Sequence, residues 1–452
     1  MITYSIINRS ELEGTLRLDA EYYQPEYLEL SRILSKSRLV PLLDVCTVTD
    51  GNHSTISEQF IDKGVRYLRG KDLQDFFISE SDPIYIPDEI YDKLKRSHIY
   101  KNDVLVSIVG TIGLISIVAD NFDQLTGNCK LAILHPKTID PWSLSAFLAS
   151  RYGQYQLQRK VAGAVQTGII LQELAKILIP YFEESKQKEI HKITFNAYEM
   201  QLESGLLYTQ AEEMLLEKLG LKNFQVEDDL SFIVNLSDVK SANRIDADFF
   251  QPKYERLISK IREGNVKLLG DLVSMKKGFE PGSEAYMEEG QLFIRVSSLL
   301  KFGIDDKDQK YLSDDLYQKL KNDYQPQVGE VLLTKDASPG IAYAVKERIE
   351  GIISGGILRL KLKEDIDSEY LVLCINSFIG KMHAERDAGG SVIAHWKPEQ
   401  IRNLLIPVLP KETQKKIAEL VRKSHEARKK SKELLGEAKR KVEKMVEKGS
   451  KN

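Results

Sequence analysis

The chain of 452 residues is poor in cysteine and histidine and has no long apolar run. Its three cysteines, Cys46, Cys129 and Cys374, fit neither a disulfide framework nor the paired spacing of a metal site. The seven histidines are scattered, with no close pair at ligand spacing, so no metal is expected. No apolar stretch approaches the roughly 18 residues needed to span a bilayer. The N-terminus, MITYSIINRSELEG, lacks the basic-then-apolar layout of a signal peptide. These absences lead to the expectation of a cytoplasmic protein with no membrane contact. An excess of one charge is also missing, with 64 basic against 67 acidic side chains. Residues 1–226 hold 24 basic and 30 acidic, which leaves 64−24=40 and 67−30=37 for the rest, so the halves carry −6 and +3. Neither is the strongly basic domain that grips nucleic-acid phosphates unaided. Binding of that kind would be weak alone, or shared with a more basic partner.

Catalytic signatures are missing too. In GVRYLRGKD five residues separate Gly64 from Gly70 where a phosphate loop needs four, and Asp72 replaces its Ser or Thr. No Asn-Pro-Pro-Tyr of an amino-methyltransferase occurs, and Ile179-Pro180-Tyr181-Phe182 lacks the polar residue that would hold the target amine. Pro87-Asp88 with Asp92-Lys93 lacks the residue between acid and lysine of a restriction-nuclease core. No catalytic residue and no cofactor are expected on this chain.

What the chain does contain is itself, twice. RLDAEYYQPEY, Arg17 to Tyr27, returns as RIDADFFQPKY, Arg244 to Tyr254. The same offset of 227 pairs Asp140 with Asp367, Gly113 with Gly340, Gly153 with Gly380, Pro180 with Pro407 and Gln187 with Gln414. Between Tyr67 and Tyr91 it slips to 226, pairing Arg69 with Arg295 and Tyr85 with Tyr311. A unit this long buries its own core, so the repeat is read as two homologous modules rather than a solenoid. Duplex DNA is the commonest roughly two-fold target for a two-fold protein, and diverged halves would suit unlike half-sites. A duplicated scaffold that makes no use of its symmetry is the alternative.

Within each half, β-rich runs alternate with turns and short helical segments, an α+β pattern (VRYLRG, DVLVSIVG and KLAILHP, then QLFIRVSS, EVLLTKD and GILRLKLK). From about Glu183 to Leu221, and again from about Lys411 to Lys448, proline is missing and glycine nearly so. There Ile190, Ala197, Ser204, Leu207, Ala211 and Met214, and later Ile417, Val421, Ser424, Arg428, Ser431, Leu435, Ala438, Val442 and Met445, keep heptad spacing. A helix of 35 residues would run roughly 52 Å. Small residues at matched seam positions, Ser204 with Ser431 and Ala211 with Ala438, lead us to expect close antiparallel pairing. The expected fold is α+β: two pseudo-two-fold-related α+β domains separated by two long antiparallel helices forming a coiled-coil spacer. The alternative is that each helix packs separately on its own domain. The expected boundaries are 1–182, 183–222, 223–409 and 410–452.

At this point the order of motifs resembles the specificity subunit of type I restriction-modification systems. Asp50-Gly51-Asn52-His53-Ser54-Thr55 stands in the position of that family's Asp-Gly-Thr-His-type turn and is followed by GVRYLRGKDL. KNDVLVSIVGTIG, Lys101 to Gly113, resembles its Gly-Asp-Ile-Leu strand and Gly-Thr-Ile-Gly turn, and Ile179-Pro180 with Gln187 its entry to the spacer helix. The second half repeats these as Gly329-Glu330-Val331-Leu332 and Ile406-Pro407 to Gln414. It departs in having KKGFEPGSEAY and Ser338-Pro339-Gly340 where the first half has the two turns. The resemblance implies a non-catalytic subunit in which two target-recognition domains each read half of a bipartite, asymmetric double-stranded DNA site. The spacer helices would dock two methyltransferase subunits carrying AdoMet, and restriction subunits (an ATP-dependent helicase-nuclease) would join that core. Exposed helical seams would let the isolated chain form a homodimer.

Candidate DNA contacts follow from residue type and place. Asn52, His53, Ser54 and Thr55 are short donors and acceptors on a turn, suited to base edges or phosphates or simply to capping that turn. Arg69 and Lys71 follow an apolar strand, as does Arg295, and suit a phosphate clamp or an internal ion pair. Thr111, Lys276, Lys277, Ser297, Ser298, Lys335 and Ser338 lie in corresponding turns and strand ends. RDAGGSVIAHWK places Arg386, Ser391, His395 and Lys397 around a Gly-Gly pair, with Trp396 read as core. The reading from a different class is a scaffold that uses its long helices for assembly and reads no DNA.

Overall fold

The computed structural model describes residues 4–12, 17–74, 76–119, 122–163, 167–224, 227–305, 307–389 and 394–449. The chain forms two compact units, one made of residues 1–201 with 429–452 and the other of residues 202–428. We call them unit 1 and unit 2.

In unit 1 the strands Cys46–Asp50, Leu131–Pro136, Val104–Ser107 and Ile115–Ile117 lie in that order in an antiparallel sheet. A second sheet orders Ile84–Ile86, Val65–Leu68, Leu125–Gly127 and His98–Ile99, with Val65–Leu68 parallel to Leu125–Gly127. Both faces of the central strand Val104–Ser107 are buried, so it reads as a continuous apolar run rather than an alternation. The helix Pro141–Ala149 starts at Asp140, whose carboxylate accepts the Ser143 N–H at 2.8 Å, with Pro141 at the first helical position. His191 donates Nδ1 to the other oxygen of Asp140 at 2.7 Å, which ties this helix to the long helix Glu184–Lys218.

Unit 2 repeats the plan. Val273–Lys277, Ile357–Leu362, Val331–Thr334 and Ala342–Ala344 form the antiparallel sheet. Lys310–Leu312, Gln291–Ile294 and Gly351–Ile353 form the mixed one, again with one parallel pair. Asp367 caps Ser368–Asn376 by accepting the Glu369 N–H at 3.0 Å and pairs with Arg422 on the long helix Lys411–Lys448. The glutamines paired in the repeat do the same work in both units: Gln187 donates to Phe182 O at 2.9 Å and Gln414 to Leu409 O at 2.7 Å, closing the turn that enters each long helix.

Both units bury parts of both long helices. In unit 1, Ile190 and Ala197 share a core with Leu435, Ala438 and Val442, and Ser431 Oγ donates to Ala197 O at 2.7 Å. With Glu189 paired to Lys441, the two segments run antiparallel. In unit 2, Ala211 joins Ile417 and Val421 in the core, and Ser424 Oγ donates to Ser204 O at 2.7 Å while lying 3.2 Å from Ser204 Oγ. A serine reaches a backbone carbonyl of the facing helix only when the two backbones come close, which the small residues allow. Leu207 and Met214, expected inward on heptad spacing, are half-buried; Tyr208 and Leu215 hold the inward positions. From Ile190 the buried positions of this helix run 190, 194, 197, 198, 204, 208, 211 and 215, so the step after Ser204 is four, not three.

Candidate nucleic-acid interface

At one end of the antiparallel sheet in unit 1, four loops are joined by backbone hydrogen bonds. Asn52 N donates to Gly127 O at 2.7 Å, Ile108 N to Lys130 O at 2.9 Å and Ile169 N to Ile108 O at 3.0 Å. Unit 2 repeats the pattern residue for residue: Phe279 N to Ile353 O at 2.9 Å, Lys335 N to Gly356 O at 2.9 Å and Trp396 N to Lys335 O at 2.7 Å. The first joint needs glycine. A Cβ on Gly51 would lie 2.1 Å from Asn128 O, and one on Gly278 would lie 2.1 Å from Ser354 O.

The loop after the central strand is also shared, though its sequences differ. Ser107 Oγ donates to Thr111 O and accepts from Leu114 N; Thr334 Oγ1 donates to Ser338 O and accepts from Ile341 N. Gly110 and Ala337 take the same left-handed position, at φ 84° and 59°. Thr111 and Ser338 therefore sit equivalently, both exposed.

Side chains then distinguish the two ends. In unit 1, Asn52 is buried and closes its own turn, accepting Ser54 N at 2.9 Å and donating to Ser54 O at 2.8 Å. His53, Ser54 and Thr55 are exposed on that turn. His53 Nε2 meets Asp50 Oδ2 at 2.7 Å, and Arg96 Nη2 meets Asp50 Oδ1 at 2.6 Å. Arg96 and Asp50 are 46 residues apart, and nothing in the sequence couples them. Lys130, in the loop between the strands Leu125–Gly127 and Leu131–Pro136, is exposed as well and was not among the expected contacts. In unit 2, Phe279 replaces Asn52 and packs on Tyr324, with ring centroids 5.4 Å apart. The exposed groups there are Lys276, Lys277, Ser297, Ser338, His395 and Lys397, while Ser298 is buried and Lys335 mostly so. Lys276 pairs with Asp323 at 2.7 Å and so holds that carboxyl below the usual carboxylate range.

The two paired arginines are committed inward. Arg69 donates Nε and Nη2 to Asp72 at 3.0 and 2.8 Å and Nη1 to Asp82 at 3.3 Å. The bond to Asp72 raises the guanidinium's pKa further. Lys71 shares Asp82 at 2.9 Å, and these two cations, Lys71 first, hold the Asp82 carboxyl below its usual range. Among the described residues Arg295 pairs with Asp308, at 3.1 Å, and its buried Nε has no partner. Arg386 pairs with Glu255 at 3.0 Å and lies over the Phe249 ring. Ser391 lies outside the described residues. Among the described residues no group of three or more His, Cys, Asp or Glu could hold a metal. No described helix is long and apolar enough to cross a membrane.

Comparison with known proteins places this geometry in context. Residues 262–434 match the family described as the type I restriction modification DNA specificity domain. The chain is 30% identical over 132 residues to the type I restriction enzyme EcoBI specificity subunit of Escherichia coli, a stretch that spans 29% of this chain and 28% of that relative. Among solved structures it is similar to the type I restriction-modification system S subunit from M. genitalium, at 13% identity and TM-score 0.42, covering 91% of this chain and 95% of that one. A second is the HsdS subunit from Thermoanaerobacter tengcongensis, at 15% identity and TM-score 0.30, covering 91% and 96%. The family read from the ordered motifs is the one whose model matches residues 262–434.

Proposed function

We propose, for a chain that carries a type I restriction-modification DNA specificity domain over residues 262–434, that both units read DNA and that the molecule is the sequence-specific subunit of such a system. The observation that carries this reading is the four-loop end present in both units, alike in backbone and different in side chains. A common backbone frame with His53, Ser54, Thr55, Thr111 and Lys130 on one copy, and Lys277, Ser297, Ser338, His395 and Lys397 on the other, suits two unlike half-sites. The site recognised is then bipartite, gapped and asymmetric. Residues 1–182 and 223–409 serve as the two target-recognition domains, and 183–222 and 410–452 as the spacer helices.

The chain does no chemistry of its own in this reading. Its helices dock two methyltransferase subunits, which bring AdoMet and the basic surface that a net charge of −3 does not supply. Restriction subunits join that assembly in the cytoplasm. The test is selection from a randomised duplex library, with the full chain alone and then with a methyltransferase subunit of the same system. Enrichment of a two-part gapped motif, tighter with the partner, is the expected result. No enriched sequence in either arm would overturn DNA reading.

A further inference from the structure

Unit 2 carries Asp336 and His395 where unit 1 has Val109 and Gly168. The same antiparallel bridge exists in both, but in unit 1 it joins Val109 to Gly168. In unit 2 His395 Nδ1 lies 2.8 Å from Asp336 Oδ1, and the other carboxylate oxygen takes Lys335 Nζ. The backbone beneath is pinned. His395 N donates to Gly389 O at 2.8 Å, Ala337 N to Ala394 O at 2.9 Å, and the next residue, Trp396, is 1% exposed. The imidazole nevertheless keeps 59% of its surface open. Burial opposes the charge on Asp336, but the bonds from Lys335 and His395 outweigh it and hold the carboxyl below the usual range.

An ionised carboxylate has no hydrogen to give, so a neutral imidazole facing it carries its proton on Nδ1 and leaves Nε2 as an acceptor. A held acceptor at an exposed loop end selects for a donor. In the major groove the donors are the amino groups of cytosine N4 and adenine N6, whereas guanine and thymine present acceptors. In unit 1, His53 stands on a different loop and meets Asp50 through Nε2, so its acceptor is Nδ1, on the other side of the ring.

We propose that His395 is a specificity-determining residue of unit 2, accepting a hydrogen bond from the exocyclic amino group of cytosine or adenine, with Asp336 as the residue that positions its ring. The proposal rests on the DNA-reading function above. It is tested by the same library selection, using the full chain with a methyltransferase subunit, for the wild type, His395→Ala, His395→Gln and Asp336→Asn. With His395→Ala, preference for cytosine or adenine at one position of one half-site falls about tenfold while the other half-site stays unchanged. His395→Gln, which keeps an acceptor, retains part of that preference. Asp336→Asn, whose amide can also donate to Nδ1, admits guanine or thymine at the same position. If His395→Ala does not fold, His395→Gln and Asp336→Asn decide the matter by that one position. An unaltered motif in the folded variants overturns the proposal alone. No enriched motif with the wild type overturns the DNA reading, and the proposal with it.

Discussion

Arg69 in unit 1 is held by two carboxylates, Asp72 and Asp82, while among the described residues its counterpart Arg295 in unit 2 keeps the second alone, Asp308, because Ser298 stands where Asp72 does. The backbone around both is unchanged. Asp72 N donates to Arg69 O at 2.9 Å and Ser298 N to Arg295 O at 3.0 Å, and Asp82 and Asp308 both have left-handed backbones, at φ 51° and 47°. Hydrogen bonds between main chains hold the loop frame, so side chains can be exchanged without moving it. Contacts with a partner can thus diverge between units that share one fold.

The largest expected difference between the units is their response to acid. His383 and His425 are buried in unit 2, where Gln156 and Tyr198 stand in unit 1, and neither Nε2 has a partner. Burial first, then Arg386 and Arg262, lowers His383 to about 4; burial, then Lys346, Arg428 and Lys301, lowers His425 to about 3. Unfolded histidine takes a proton below about pH 6.5 and the folded one does not, so this stability is complete above pH 6.5 and lost as pH falls toward 4. At pH 5 the loss is about 2 kcal/mol for each histidine. Trp142 lies in unit 1 and Trp396 in unit 2, so Trp142→Phe leaves fluorescence from unit 2 alone and Trp396→Phe from unit 1 alone. Urea unfolding at pH 7.5 and 5.0 is expected to move the unit 2 transition far more. Equal movement would break the comparison, and His425→Tyr should remove about half of the difference.

Next is Asp72→Ala. Asp72 is 2% exposed, accepts Arg69 N at 2.7 Å besides the guanidinium, and lies 3.9 Å from the buried Arg66. Its loss leaves two enclosed cations short of a partner, at a cost of about 3 kcal/mol to unit 1. The matching change in unit 2, Ser298→Ala, should cost under about 1 kcal/mol. Urea transitions of the two single-tryptophan chains check both.

A smaller effect isolates backbone strain. A Cβ on Gly110 would meet nothing within 4 Å, so Gly110→Ala costs only its left-handed conformation, about 1 kcal/mol. Ala337 already bears that cost in unit 2, and Ala337→Gly should stabilise by about 0.5 kcal/mol after the added freedom of the unfolded chain is counted. Equal destabilisation by both changes would show that the two loops are not equivalent.

That equivalence was only partly legible in the residues. The offset of 227 exposed the repeat and brought Thr111 and Ser338 into the same class of turn, although Gly-Thr-Ile-Gly and Ser-Pro-Gly share little: their geometry is set by Ser107 and Thr334, four residues earlier. The heptad seam was legible up to Ser204. Beyond it Leu206, Leu207 and Tyr208 are all apolar, so spacing alone cannot choose the inward one, and Tyr208 is the one that packs on Phe302 and under Lys301. Arg69 has an acid three positions on, the local signature of an internal pair, and this competes with any reading as a phosphate contact. The bond from Arg96 to Asp50 had no such mark, because it closes across the fold rather than along the chain.

The comparison is sharpest where one unit can be given the other's chemistry. Ser298→Asp puts a carboxylate three residues after Arg295, in the turn that aims Asp72 at Arg69, and offers Arg295 Nε its missing partner. Bonds to a charged group are worth roughly 1.5–3 kcal/mol, and most of that is spent in taking the carboxylate out of water, so unit 2 should gain about 0.5 kcal/mol. The sign depends on the arginine. In an Arg295→Met background the same Ser298→Asp change buries an uncompensated charge and should destabilise by about 2 kcal/mol or more. The two values are read from the Trp396 transition in urea, and their difference is the coupling energy of the transplanted pair. If Ser298→Asp destabilises equally with and without Arg295, the carboxylate does not reach the guanidinium, and the Arg69 arrangement belongs to unit 1 rather than to the shared frame.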